Sequence, residues 1–379
     1  MNKKITFVGL VLVAVVLAAF LFSSFSASGL FGLQGALPAL KVGVIGVLSG
    51  PIGASWGIDA KNGVELAVEK AKSEGVSLEL FLGDSEAKPE TGLSEFKRIN
   101  EVYSPDVFIV EASAVASAIA PIAKDYNKPI LFTAVASEGI TKQNDLLFRN
   151  FYLCEEESPF MAEKAFNNLG IKRVAVLFQK EPFGESCSKI FIEKFLALGG
   201  EVVLKDSFLP TNVDFKTQLS KVGSASVDAV YAVGYENQML NITKQMKELG
   251  INKTIIGSRL IFTPAIRNEI IKYINPPEVY FSSNDFYLGS PQVLSFREKF
   301  VARFGHEPSH VAAYAYDSVL LIAEASKISK QKGISLAEAL KEAKVDGVNG
   351  ALSFNSIRET TQPTYLLTID EDGQAKKVE

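Results

Sequence analysis

Residues 42–48 form an apolar run relieved only by Gly43 and Gly46, and the run stops at Ser49-Gly50-Pro51. Such a run, bounded by Gly and Pro, predicts a strand buried on both faces. Beyond it Ile58, Val64, Ala67, Val68 and Ala71 recur at helical spacing. Strand, glycine-rich loop and helix begin an open α/β sheet, in which ligands bind where the strands end. The alternation continues with a predicted strand at 77–83 ending at Asp84, a helix at 89–103, a buried strand at 105–110, a helix at 114–126 and a strand at 129–133. A second series follows. It predicts helix 158–169, strand 173–178, helix 183–198, strand 201–207, a helix from Asp214, strand 227–233, helix 235–249, strand 253–256, helix 264–273 and strand 279–282.

Repeated strand–helix units imply parallel sheets with helices on both faces. Two such series in one chain predict an α/β protein of two doubly wound parallel-sheet lobes. The tail departs from the rhythm, with helices at 290–304, 309–331 and 335–343, a segment at 347–354 and a last strand at 364–370. Two long helices in succession predict that the chain returns to cover the first lobe before the final strand crosses again.

Ahead of the first strand, Lys3 and Lys4 precede an almost unbroken apolar run over residues 5–22, and Ser23, Ser24, Ser26, Ala27 and Ser28 follow. Residues 1–28 read as a signal peptide or an uncleaved N-terminal anchor, since the run sits at the length boundary between the two. No Cys closes it, which argues against lipid attachment. Residues 29–40 read as a tether. The chain is thus expected to be exported, periplasmic or on the extracellular face of a membrane. The other residues of this 379-residue chain suit two ordinary domains, and 47% apolar with 22% charged residues suffices for real cores. A net charge of −4 without basic clusters argues against nucleic acid as a partner.

The only cysteines, Cys154 and Cys187, permit one disulfide in an exported protein, or stand as two small buried thiols. His306 and His310 are four apart, but Pro308 between them breaks the helix that would align them on a metal. No G-x-S-x-G elbow, phosphate-binding loop or G-x-G-x-x-G follows the first strand. The expectation is therefore no metal, no cofactor and no enzyme.

The order of short motifs resembles the type I periplasmic solute-binding proteins of the Leu/Ile/Val-binding kind, the extracytoplasmic components of ATP-driven importers. The matching pieces include the 42–50 strand with its Ser-Gly-Pro loop, Trp56-Gly57, Asp84 with Pro89, Ser113-Ala114-Val115-Ala116, Phe148-Arg149-Asn150, Pro182-Phe183-Gly184, Asp228-Ala229-Val230, Glu307-Pro308 and Ala315-Tyr316-Asp317. The resemblance implies three crossovers, near 150–153, 282–286 and 354–362, carrying few packing contacts with either lobe. Lobe one would hold 41–151 and 285–354, lobe two 153–282 and 362–379. It also implies hinge closure on a small-molecule ligand (an amino acid or organic acid), an ABC permease as membrane partner, and a monomer. A membrane-anchored sensor on the same fold is the rival reading, because fold does not fix output.

By the same resemblance, Ser113 and Ala114 open a helix whose N-terminus receives the ligand carboxylate; alternatively Ser113 only caps that helix. Ala136 and Ser137 stand in the loop after the fourth strand, where relatives offer a hydroxyl and Ser137 could instead be a plain helix cap. Trp56, the only Trp, lies where relatives place an aromatic residue against the ligand. Phe183 stands where relatives often carry Tyr, and Tyr235 and Glu236 project from lobe two. Arg259 is the departure. Amino-acid binders commonly hold an acid there for the ligand ammonium, whereas Arg suits a carboxylate. Either Glu236 takes the ammonium, or the ligand lacks one, or Arg259 pairs with an acid of the protein.

Overall fold

In the computed structural model the described residues are 39–50, 54–274 and 279–378. The leader predicted at 1–28 and nearly all of the tether lie outside them. Among the described residues no helix is long and apolar enough to cross a membrane.

Five parallel strands build the first sheet: β1 Leu40–Gly46, β2 Leu78–Asp84, β3 Val107–Val110, β4 Ile130–Phe132 and β5 Leu147–Arg149, in the order β2-β1-β3-β4-β5. β3 is buried at every position and β1 from Val42 onward, as continuous apolar runs require when helices cover both faces. The second sheet takes β6 Arg173–Gln179, β7 Glu201–Phe208, β8 Ala229–Val233, β9 Thr254–Gly257 and β10 Val279–Ser283. A separate hairpin, β11 Lys344–Gly347 with β12 Gly350–Ser353, precedes β13 Tyr365–Ile369 and β14 Ala375–Lys377. The chain then closes the seven-stranded order β14-β13-β10-β9-β8-β6-β7, in which β13 runs antiparallel to β10. Two doubly wound α/β lobes result. The last strand crosses back to the second sheet, as the sequence predicts.

Helix His310–Lys332 returns to the first lobe and lies along helix Ala54–Ser73. Their approach is so close that a Cβ on Gly63 would sit 2.2 Å from the Ala312 carbonyl oxygen. The second helix is buried nearly all round over its first four turns, which explains why it lacks a clean amphipathic pattern.

Several predicted elements change shape. The helix expected at 114–126 is three pieces, Ser113–Ile119, a 3-10 turn Ala120–Ile122, and Ala123–Tyr126. Pro121, with no N–H and a ring that crowds the preceding turn, accounts for the break. The helix expected at 158–169 starts earlier, as Cys154–Glu163, with Glu155, Glu156 and Glu157 in a first turn that favours negative charge. The one expected at 264–273 shrinks to Arg267–Ile270 after a 3-10 turn Arg259–Phe262. Cys154 and Cys187 are joined by a disulfide, S–S 2.00 Å, linking helices Cys154–Glu163 and Pro182–Ala197.

The segments that join the sheets are not sparsely packed. Arg149, Asn150, Glu359 and Thr360 are all buried. Arg149 N donates to the Arg358 carbonyl at 2.9 Å, and Thr360 N donates to the Arg149 carbonyl at 3.0 Å. Asn150 Nδ2 donates to the Tyr314 carbonyl at 3.0 Å and accepts at Oδ1 from Thr360 Oγ1 at 2.9 Å. Buried backbone and amide groups must find partners, and here the crossing strands supply them to one another.

Candidate functional site

Each sheet presents the carboxyl ends of its strands to a cavity between the lobes, and the loops there are held by specific bonds. The loop after β1 hangs on Asp84 at the end of β2, which accepts from Leu48 N at 2.9 Å, Ser49 N at 3.3 Å and Glu86 N at 3.0 Å. Burial works against the Asp84 charge, but the bonds from Ser49, Glu86 and Leu48 outweigh it and hold the carboxyl below its ordinary range. Helix Ala54–Ser73 starts against this loop, so closely that a Cβ on Gly57 would fall 2.0 Å from the Val47 carbonyl oxygen. That contact sets Trp56 into the cavity wall. Its ring is buried, and Nε1 has no hydrogen-bond partner among the described residues.

After β3 and β4 the chain makes two left-handed bends, at Ala112 (φ 68°) and Ala134 (φ 53°). Side chains other than Gly avoid this region, and such strain gathers at functional loops. Ser113 ties the two loops together, its Oγ accepting from Ala136 N at 3.1 Å and Ser137 N at 3.3 Å. It does not cap its helix: Ala112 holds the cap position, and no side chain caps there. With its oxygen engaged by two amides, the Ser113 hydroxyl keeps its hydrogen to donate. Ser137 is no helix cap either. Its Oγ is buried without a partner among the described residues, and its carbonyl accepts from Arg149 Nη1 at 2.6 Å.

From the second lobe come Phe183 and Tyr235, stacked with centroids 5.9 Å apart and planes 19° apart. Tyr235 also meets Trp56 of the first lobe at 6.2 Å. Its hydroxyl donates to Glu181 Oε1 at 3.3 Å, and burial pushes the Glu181 carboxyl up to about 7. Glu236 opens the helix after β8 and accepts at Oε2 from Ser55 Oγ at 2.8 Å, a bond that spans the lobes.

About 320 Å³ of space between atoms, part of it open to solvent, lies in this cavity. Trp56, Ser113, Ala134, Ala136 and Val311 line it from the first lobe, Phe183, Tyr235 and Leu260 from the second, and Phe151 and Tyr152 from the connecting segment. Five of the nine ligand positions read from the sequence therefore meet on it. Ala114, Ser137 and Glu236 do not line it, and Glu236 is bonded to Ser55. Sequence reading did not single out Phe151, Tyr152, Leu260 or Val311. Phe151 and Tyr152 directly follow the Phe148-Arg149-Asn150 motif, the one signal that pointed at them.

Arg259 lies off this cavity, on a second, smaller one that shares Phe151 and Tyr152 with the first. Its guanidinium stacks on Tyr152, Cζ 4.0 Å from the ring centroid, and Nη1 donates to the Tyr314 hydroxyl at 3.2 Å. The acid beside it is Glu157, with Nε to Oε1 4.0 Å, not Glu236.

Two α/β lobes whose strand ends face a shared aromatic cavity define a bilobal ligand-binding protein. The chain belongs to the periplasmic binding protein family, which matches residues 39–374. A Leu/Ile/Val-binding protein, BraC3, from Rhizobium johnstonii is 26% identical over 226 residues, 58% of this chain and 60% of that protein's length. Among solved structures, a branched-chain amino acid transporter substrate-binding protein from Streptococcus pneumoniae in complex with isoleucine superposes with TM-score 0.78 at 24% identity, covering 90% of this chain and 99% of that one. An ABC transporter solute-binding protein from R. palustris in complex with benzoate gives TM-score 0.81 at 21% identity, covering 90% and 96%. At these identities the likeness carries the fold. The relatives are binding proteins of transporters, not enzymes.

Proposed function

We propose that this chain is the exported substrate-binding component of an ATP-driven importer, and that it captures an amino acid or a related small carboxylate between its lobes. One observation carries the reading: the walls of a single cavity come from both sheets and meet at Trp56, Ser113, Phe183 and Tyr235. In this reading lobe one is 41–151 with 285–354 and lobe two is 153–282 with 362–379, and they close by hinge motion about the crossovers. The Ser113 hydroxyl and the first amides of its helix, including that of Ala114, receive the carboxylate. Ala136 and Ser137 shape that end, and the aromatic residues bury the ligand's apolar body. The bond from Ser55 to Glu236 latches the closed state. The closed monomer is what the permease recognises, on the outer side of the membrane.

The relatives that carry isoleucine and benzoate support a carboxylate with an apolar body. Thermal unfolding with isoleucine, leucine, benzoate and 4-hydroxybenzoate tests the proposal. A ligand at 100 times its Kd should stabilise the protein by about 2.7 kcal/mol. If small carboxylates leave the midpoint unmoved while neutral sugars or cations raise it, the proposal fails.

A further inference from the structure

Neither cysteine of the Cys154–Cys187 disulfide lines the cavity, yet both are buried beside residues that do. Cys154 is the first residue of helix Cys154–Glu163, directly after the crossover that carries the wall residues Phe151 and Tyr152. Cys187 lies one turn beyond the wall residue Phe183 in helix Pro182–Ala197, on the same side of that helix. The Cys154 sulfur is 3.8 Å from the Phe183 carbonyl oxygen, a packing contact, since a disulfide sulfur has no hydrogen to donate. The bond thus fastens the crossover that carries two wall residues to the helix that carries a third.

Both helices also receive the loop after β4 from the first lobe. On one, Cys154 N donates to the Ala136 carbonyl at 3.1 Å, and Glu155 Oε1 accepts from Gly139 N at 2.9 Å. On the other, Ser186 Oγ accepts from Glu138 N at 3.3 Å, and Lys189 Nζ pairs with Glu138 Oε2 at 3.0 Å. So short a loop keeps both sets of bonds only while the two helices hold one relative setting, and the covalent bond between them fixes that setting. A staple that served stability alone could close any loop of the lobe. This one joins a residue bonded to Ala136, on one wall, to the turn after Phe183, on the other. We propose that the Cys154–Cys187 disulfide is a positioning element of the ligand site, which sets the two helices so that closure brings Phe183 and Tyr235 to Trp56. The proposal rests on the reading that the ligand is held between the lobes. A wall set in advance costs the ligand less to order.

The variant Cys154→Ala/Cys187→Ala removes the bond. Val222→Ala, at a buried position of helix Lys216–Ser224 that does not line the cavity, lowers stability elsewhere and serves as control. Wild type and both variants are titrated calorimetrically with isoleucine and benzoate, and the emission of Trp56, the only Trp, is recorded without ligand. The expected result is that an acid bound by wild type binds the double variant about tenfold or more weakly. Ligand-free Trp56 emission should move with it, and Val222→Ala should keep wild-type values of both. If the double variant does not fold, wild type reduced with dithiothreitol carries the same test: the S–S bond breaks, its two sulfurs take up two electrons and two protons, and the dithiol closes to its cyclic disulfide. A folded protein without the bond that keeps its Kd and its emission overturns the proposal and leaves the disulfide a staple. Equal losses in Val222→Ala overturn it too, since they follow stability alone. If neither acid binds wild type, the carboxylate reading falls, and the emission decides the positioning role: moved in the double variant alone, the role stands; unmoved, it falls.

Discussion

Two buried arginine–glutamate pairs flank the segment that links the lobes, and they are built differently. Arg149 meets Glu359 directly through Nη2, while Nη1 donates to the Ser137 carbonyl at 2.6 Å; Glu359 also accepts from Thr141 Oγ1 at 2.7 Å. Arg259 reaches Glu157 only at 4.0 Å, and Glu157 Oε2 has no partner among the described residues; the Nε of both arginines is likewise unpartnered there, so the direct carboxylate contact is what separates the pairs. Both pairs cost desolvation, and only close geometry with additional hydrogen bonds offsets it. The first pair has that geometry and works as a clamp, joining the 354–360 segment to the loop that carries Ala134, Ala136 and Ser137. The second lacks that direct contact.

Breaking the clamp should have the largest effect. Arg149→Met leaves Glu359 charged and buried and the Ser137 carbonyl without its donor, so a loss of about 3–5 kcal/mol is expected in denaturant unfolding. A loss below about 1 kcal/mol would remove the distinction between the pairs. Arg259→Met should cost less, about 1–2 kcal/mol, since one hydrogen bond to Tyr314 and a stack on Tyr152 are lost. Equal costs for the two substitutions would mean that Arg259 is a second clamp.

A third expected effect is on the pH dependence of stability. Burial raises the Glu157 carboxyl above its ordinary range, the nearby Arg259 charge only partly opposing it, and burial pushes Glu111 up to about 8. Glu111 holds a proton in the fold that the unfolded chain gives up near its ordinary pKa. Its stabilising contribution is complete below that value and is lost as pH rises through the folded pKa. For Glu111 the fall is about 1.4 kcal/mol per pH unit between its unfolded and folded pKa. Glu111→Gln should remove that slope in unfolding series from pH 4.5 to 8. A slope unchanged in that variant would contradict the assignment of this buried proton.

The alternation of strands and helices was legible because continuous apolar runs such as β1 and β8 have one physical explanation, burial between helix layers. β5 and β14 were not, being three residues each and without a pattern long enough to read. The near ends of the candidate site, Trp56, Ser113, Phe183 and Tyr235, were legible through motifs next to strand ends. Val311 and Leu260 were not: each is an ordinary apolar residue brought to the cavity only when the lobes meet. Arg259 was conspicuous in the sequence, yet its partner Glu157 lies 102 positions away in a helix that starts earlier than its pattern predicts. The crossovers misled for a related reason. Arg149 and Glu359 find each other only in three dimensions, so nothing local announces how firmly they are tied.

The central claim is that a small carboxylate is held between the lobes against Trp56. With one Trp in the chain, its emission has a single source. Titrating the protein with isoleucine, benzoate and 4-hydroxybenzoate, and following that emission beside calorimetry on the same samples, measures the claim directly. A saturable change in Trp56 fluorescence with the calorimetric Kd is the predicted result; a carboxylate that saturates the calorimeter while emission stays unchanged would contradict it.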